Sequence, residues 1–252
     1  MRLPALRVVA LVLALLLPLA CSGTGAGGVS GDERLFVPEG LPNTPWEGEV
    51  GVALKMVAST LVQGPTGGAV FYAAVKNDGA TPACNAGMMI DFIDKGGQTV
   101  ATVGTALLSK QLYRFSADAV LACIDPGQVA MAAVTNLPAE LAIGDLATLK
   151  HTFPTFGVDG IVALGGLTVS QLQVHTVSGG SAYTGTLTNP LDVVARNPSV
   201  TIFPVNRVGR PLGAATSSAM IDVPPGGSWS FETTTVTDVG VDYAAYPSAD
   251  VN

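Results

Sequence analysis

Few side chains in this chain can do chemistry near neutral pH: three cysteines, Cys21, Cys84 and Cys123, and two histidines, His151 and His175. A hydrolase or transferase needs a nucleophile, a base and an orienting group within reach of one another. His175 lies in an alternating stretch, residues 168–176, and His151 lies in Lys150-His151-Thr152-Phe153-Pro154; a structural role is expected of both. G-x-S-x-G, H-E-x-x-H and S-x-x-K do not occur, which removes the common serine and zinc hydrolases. The cysteines have no CxxC spacing and no nearby histidine, so a zinc site is not expected. Asp91 and Asp94 are the closest carboxylates in a patterned stretch. Three positions apart on a strand, they point to opposite faces, unlike a glycosidase pair. Asp91-Phe92-Ile93-Asp94-Lys95-Gly96 also lacks the 1, 3, 5 oxygen spacing of a Ca²⁺ loop. No enzyme, metal or cofactor is expected. Aromatic side chains point elsewhere, because Trp and Tyr anchor partners when exposed. Trp229 alternates with Phe231 and is expected in a core, whereas Tyr243 and Tyr246 are the candidate partner-binding residues.

Charge narrows the partners. Twelve Lys and Arg against nineteen Asp and Glu give a formal charge of −7. Arg2 and Arg7 stand in the N-terminal segment, and without them the balance becomes −9. Nucleic-acid binding runs on counterion release by Lys and Arg, so no nucleic-acid partner is expected.

That N-terminal segment decides the compartment. Arg2 and Arg7 precede an apolar run at residues 8–19. Twelve residues are too short to span a bilayer and have the length of a signal-peptide core. The run ends in Leu17-Pro18-Leu19-Ala20-Cys21, which resembles the lipobox of bacterial lipoproteins. The resemblance implies cleavage of residues 1–20, diacylation of Cys21 and acylation of its new amino group. The alternative is an ordinary signal cut after Ala26, with Cys21 discarded. Residues 21–45 begin CSGTGAGGVSG, small and polar, and read as a flexible tether. Gly23-Thr24-Gly25-Ala26-Gly27-Gly28 matches the dinucleotide fingerprint but lacks the strand before it and the helix after it. An exported lipoprotein anchored in a bilayer is therefore expected, facing periplasm or exterior. Ser22 is no retention-type Asp, which favours the outer membrane where a cell has one.

Export also bears on the cysteines. With Cys21 lipidated, Cys84 and Cys123 remain as an even pair, which in an oxidising compartment most simply forms a disulfide. Two free buried thiols are the alternative.

The elements that hold these residues repeat. Residues 54–77, LKMVASTLVQGPTGGAVFYAAVKN, align with 167–189, LTVSQLQVHTVSGGSAYTGTLTN, placing Asn77 on Asn189. Asp91-Phe92-Ile93-Asp94 falls near Ile202-Phe203-Pro204-Val205-Asn206, and Asp125-Pro126-Gly127 on Pro224-Pro225-Gly226. Between the latter landmarks the second copy is about 12 residues shorter. Within each copy, alternating stretches at 69–75, 88–93, 182–188, 200–205 and 228–234 are separated by Gly, Pro and Asn turns. Strands at this spacing predict an all-β fold: two tandem immunoglobulin-like β-sandwiches, residues 46–150 and 158–252. Residues 109–121 and 139–149 read equally as short helix or edge strand, although Gly144 opposes a long helix in the second.

Val75-Lys76-Asn77, the Asp91 to Gly96 strand and turn, and Asp125-Pro126-Gly127 together resemble the FxLYD-type immunoglobulin-like domains of bacterial envelope lipoproteins. The resemblance covers residues 54–134 and, more weakly, 167–231. It implies a β-sandwich in the envelope, often with a cysteine pair, and no catalytic residues to carry over. A non-catalytic binding or scaffolding module with an envelope protein as partner is the resulting expectation. An accessory subunit of an envelope or secretion complex, or a carboxylate-based hydrolase, are its rivals.

Overall fold

Apolar residues in alternation, broken every few positions by Gly, Pro or Asn, leave the backbone only one way to pair its amides: antiparallel sheet. The computed structural model describes residues 53–63, 68–116, 119–135, 137–138, 141, 143–155 and 160–251. The expected signal segment, Cys21, the expected tether and Trp46 lie outside the described residues. In chain order the strands begin with β1 (Leu54–Gln63), β2 (Ala69–Asn77), β3 (Ala83–Cys84), β4 (Gly87–Asp94) and β5 (Thr99–Ala106). Next come β6 (Gln111–Ser116), β7 (Ala119–Ile124), β8 (Val129–Val134), β9 (Leu146–Thr152) and β10 (Val162–Gly165). The remainder are β11 (Thr168–Val177), β12 (Gly180–Thr188), β13 (Ala195–Val205), β14 (Ala215–Ser218), β15 (Asp222–Val223), β16 (Ser228–Glu232) and β17 (Asp242–Val251). Among the described residues the only helical turn is 3₁₀, Ile143–Asp145. The fold is all-β, and the described residues fall within one compact unit.

The first half is a sandwich of two three-stranded antiparallel sheets, β1-β2-β8 and β5-β4-β9. Their facing side chains, among them Leu61, Phe71, Val75, Ile90, Phe92 and Leu149, form one core. Phe71 and Phe92 meet edge to face with centroids 5.9 Å apart, the arrangement the ring quadrupoles favour. The second half repeats the plan. Sheet β11-β12-β16 faces a sheet centred on β13, with β14 and β15 along one edge and β17 along the other. Tyr183, Leu187, Val200, Ile202 and Phe231 fill that core.

The landmarks aligned in sequence are the same devices in space. Asn77 and Asn189 are both fully buried. Asn77 Nδ2 donates to the Thr81 and Ile124 carbonyls, each at 2.8 Å, and its Oδ1 accepts the Gly79 amide. Asn189 Nδ2 donates to the Val193 and Val223 carbonyls at 2.8 and 2.9 Å, and its Oδ1 accepts the Leu191 amide. Asp94 Oδ1 accepts from the amides of Gly96 and Gln98, while Asn206 Oδ1 accepts from those of Val208 and Arg210. Gly97 and Gly209 complete these turns at φ 81° and 76°, a region where a β-carbon is strained.

The halves differ at residues 109–121, which form the β6-β7 hairpin, so the strand reading holds there. Where the second copy is shorter, the first has a four-stranded sheet, β10-β6-β7-β3. Its outer strand β10 comes from the 158–252 stretch and pairs with β6. Leu112 on β6 and Val120 on β7 pack against the core of the second half.

A third apolar layer joins the halves. Ala74 and Met131, on the outer face of sheet β1-β2-β8, share a cluster with Phe203, Val205 and Tyr246 on β13 and β17. Ala58, Ala133, Ala214 and Ala244 surround them. Such small side chains let two sheets approach closely, and Phe203, Tyr246, Tyr72 and Leu108 fill what space remains. Phe203 and Tyr246 pack edge to face at 5.8 Å. Strands β2 and β8 are therefore buried on both faces near Ala73, Ala74 and Ala132, where their polar alternation lapses.

Candidate functional site

The cysteine pair comes together. Cys84 on β3 stands opposite Cys123 on β7 in the antiparallel register. Their sulfurs are bonded, with the Cα atoms 3.9 Å apart, and both residues are fully buried. The bridge fixes a two-residue strand to the hairpin that reaches the second half.

The candidate acids and bases are each held by hydrogen bonds or by packing in the core. His151 is buried on β9, its ring tilted onto Phe153 with centroids 4.9 Å apart. Burial lowers its pKa, so the imidazole is neutral at pH 7, and its Nδ1 has no hydrogen-bond partner. His175 is exposed on β11, where its Nε2 and Thr184 Oγ1 share a 2.7 Å hydrogen bond. The two histidines sit in different halves. Asp91 accepts a 2.6 Å bond from Thr102 Oγ1, and Asp94 caps its turn. Asp242 Oδ1 accepts from the Tyr243 amide, and Asp250 Oδ2 accepts from Asn197 Nδ2 at 3.0 Å. Among the described residues no three His, Cys, Asp or Glu side chains gather as a metal site would require.

The two candidate partner-binding tyrosines part company. Tyr243 is 43% exposed and leans on Tyr183 at 6.2 Å. Tyr246 is 4% exposed and works inside the chain instead: its hydroxyl donates to the Val129 carbonyl of the first half at 2.8 Å. Lys110 Nζ stands 5.0 Å from its ring centroid, and burial pushes its pKa far above the usual phenol value. The reason is the third layer, which covers the face of β17 that carries Tyr246. Trp229 is half-buried and packs beside Phe231 against the second core.

Two surface features were not legible from single residues. The first is β11, a ten-residue edge strand with no Asp, Glu, Lys or Arg. Ser170, Gln173, His175 and Thr176 are exposed along it, and no described strand pairs with its outer edge. A bulge between Ser170 and Gln173 interrupts its register, with Gln171 at φ 53°. The second is a cleft of about 530 Å³ between the four-stranded sheet and the β13-β17 edge. The repeat offset carried a signal for this cleft: Asn85 and Asn197 occupy equivalent positions, both left-handed, and both line it.

No family model matches the chain, and no curated protein matches it. Among solved structures it is similar to red sea bream transglutaminase at 13% identity, with a TM-score of 0.26. That match covers 81% of this chain and 29% of the other, so this chain spans less than a third of that protein. A likeness of that size carries no argument about activity.

Proposed function

We propose that the chain is a membrane-anchored bacterial lipoprotein whose paired immunoglobulin-like modules, of FxLYD type, bind or scaffold another envelope protein without catalysis. Cys21 is the anchor, and the polypeptide faces the periplasm or the exterior. The observation that carries the reading is the open edge of β11. Native edge strands are commonly guarded by Lys, Pro or inward charge, and this one has a bulge but no charge along ten residues. An extended segment of a partner can add to such an edge through main-chain hydrogen bonds. In agreement, Asp91, Asp94, His151 and His175 are tied into turns, cross-strand pairs or the core.

The test is capture of the lipidated chain from its own envelope, compared with a double variant, Gln173→Lys with His175→Lys, that guards the edge. Recovery of one envelope protein that falls about tenfold with the variant, a difference near 1.4 kcal/mol, supports the proposal. Equal recovery, or nothing above background, overturns it. Palmitate labelling that persists in Cys21→Ser, or intact processing in the presence of globomycin, removes the anchor.

A further inference from the structure

The cleft between the halves is built from both copies and closed over by neither. From the first half come Asn85 and the apolar Leu112 and Val120; from the second come Arg196, Asn197 and Asp250. Its volume of about 530 Å³ falls within the range of small-molecule sites, which favour such junctions, and its lining is mainly polar, with Leu112 and Val120 among the smaller apolar share.

Charge selects among ligands. Arg196 on β13 stands in register between Asp222 on β15 and Asp250 on β17. Opposed positions in a sheet lie about 5 Å apart, so the three strands present a minus, plus, minus row. Arg196 is exposed and makes no ion pair with a described residue. Asp250 gives Oδ2 to Asn197 Nδ2, which leaves Oδ1 for another donor. A simple anion reaching Arg196 meets a carboxylate on either side, and a simple cation at Asp250 meets the guanidinium. A ligand that carries both charges, a few ångströms apart, satisfies the row.

Backbone geometry supports a built site. Asn85 and Asn197 hold φ at 44° and 48°, and each donates its backbone amide to a carbonyl across from it, Ala122 on β7 and Ile221 just before β15. A left-handed non-glycine residue costs free energy and persists only where its surroundings enforce it, and such residues cluster at functional sites. Here the duplication has placed one from each copy on the same cleft.

We infer that this cleft binds the zwitterionic head of a free α-amino acid with an apolar side chain. The α-carboxylate pairs with Arg196, the α-ammonium with Asp250 Oδ1, and the side chain lies over Leu112 and Val120. The short span between the two charges of an α-amino acid matches neighbouring strands better than the separated termini of a peptide do. This inference is independent of the β11 edge, which lies on the other sheet of the second half.

The experiment is calorimetric titration of the full chain with L-leucine, N-acetyl-L-leucine, L-leucinamide and glycine. Leucine is expected to bind with Kd of about 1 mM or tighter, and each of the others at least about tenfold more weakly. Arg196→Gln and Asp250→Asn are expected to lose about tenfold each, with thermal unfolding confirming that both variants are folded. Should either fail to fold, amide chemical-shift changes in the unaltered chain decide: leucine must move Asn85, Ala122 and Ala249 together. The inference is overturned by any of three results. These are no heat with leucine at about 10 mM, equal binding of the acetylated or amidated forms, or shift changes confined to residues outside the cleft.

Discussion

The two copies of the repeat solve one problem with different chemistry. At the position where the first half places Cys84 opposite Cys123, the second places Arg196 opposite Asp222. The backbone devices around this pair are shared: the buried Asn, the Asp or Asn turn, and the glycine at positive φ after the proline, Gly127 or Gly226. Main-chain satisfaction is evidently the constant, since a buried amide or carbonyl without a partner costs free energy in any sequence. The cross-strand pair is the variable. It is covalent where the pair is fully buried beside the extra β6-β7 hairpin, and charged where both residues are exposed.

Removing the covalent pair tests that contrast first. A Cys84→Ser, Cys123→Ser variant closes no loop across the sequence separation of 39, and the chain-entropy estimate for such a loop is about 4 kcal/mol. Thermal or denaturant unfolding should show a loss approaching this value, whereas Arg196→Ser with Asp222→Ser should cost less than about 1 kcal/mol because exposed charges contribute little. Similar losses would show that the two pairs are not alternatives.

Asn77→Ala and Asn189→Ala should each cost about 3 kcal/mol, since either change leaves two carbonyls and one amide without the side chain that satisfies them. The two values should agree within about 1 kcal/mol if the copies are energetically alike, as chemical denaturation would show. Tyr246→Phe removes only the bond to the Val129 carbonyl and keeps the ring in the third layer. About 1 kcal/mol is expected, with faster hydrogen exchange at β8 and β17 as the local readout.

His151→Leu has the smallest effect at pH 7 and a sign that depends on pH. The folded-state pKa of His151 is lowered by burial, so the unfolded chain binds the proton more readily as pH falls below its ordinary value near 6.5. Stability is then full above that value and declines as pH drops through it toward the lower folded pKa. The leucine variant lacks this decline and also removes the unpaired Nδ1, so it should equal the parent or gain a few tenths of a kcal/mol at pH 7. Its advantage should grow toward pH 5 in melting curves.

Much of this architecture was legible in residue patterns. Alternation, turn residues and the Asn77–Asn189 offset were enough for an all-β chain with a duplicated plan, because hairpins and buried asparagines are set by neighbours close in sequence. Residues 109–121 stay open between helix and strand, because their apolar side chains, Leu112 and Val120, answer to a core that begins only at Leu167. Tyr246, a candidate partner-binding residue by sequence, lies in the core for a related reason. Its neighbourhood, Asp242-Tyr243-Ala244-Ala245-Tyr246, alternates weakly, with Ala and Tyr in both rows. Around Ala244, Ala245 and Tyr246 both faces of β17 are covered, one by the second core and the other by the third layer.

What the chain determined on its own was local: where strands form, where they turn, and which two thiols were left to join. What the tertiary structure decided was which faces meet: the docking of the two sandwiches through small alanines and Tyr246, the uncovered edge of β11, and the cleft where Asn85 faces the second copy. Strand formation depends on contacts between near neighbours and on backbone hydrogen bonding, which a linear pattern records. The packing of one sheet upon another depends on side chains far apart in the chain, and no single stretch of sequence records both partners.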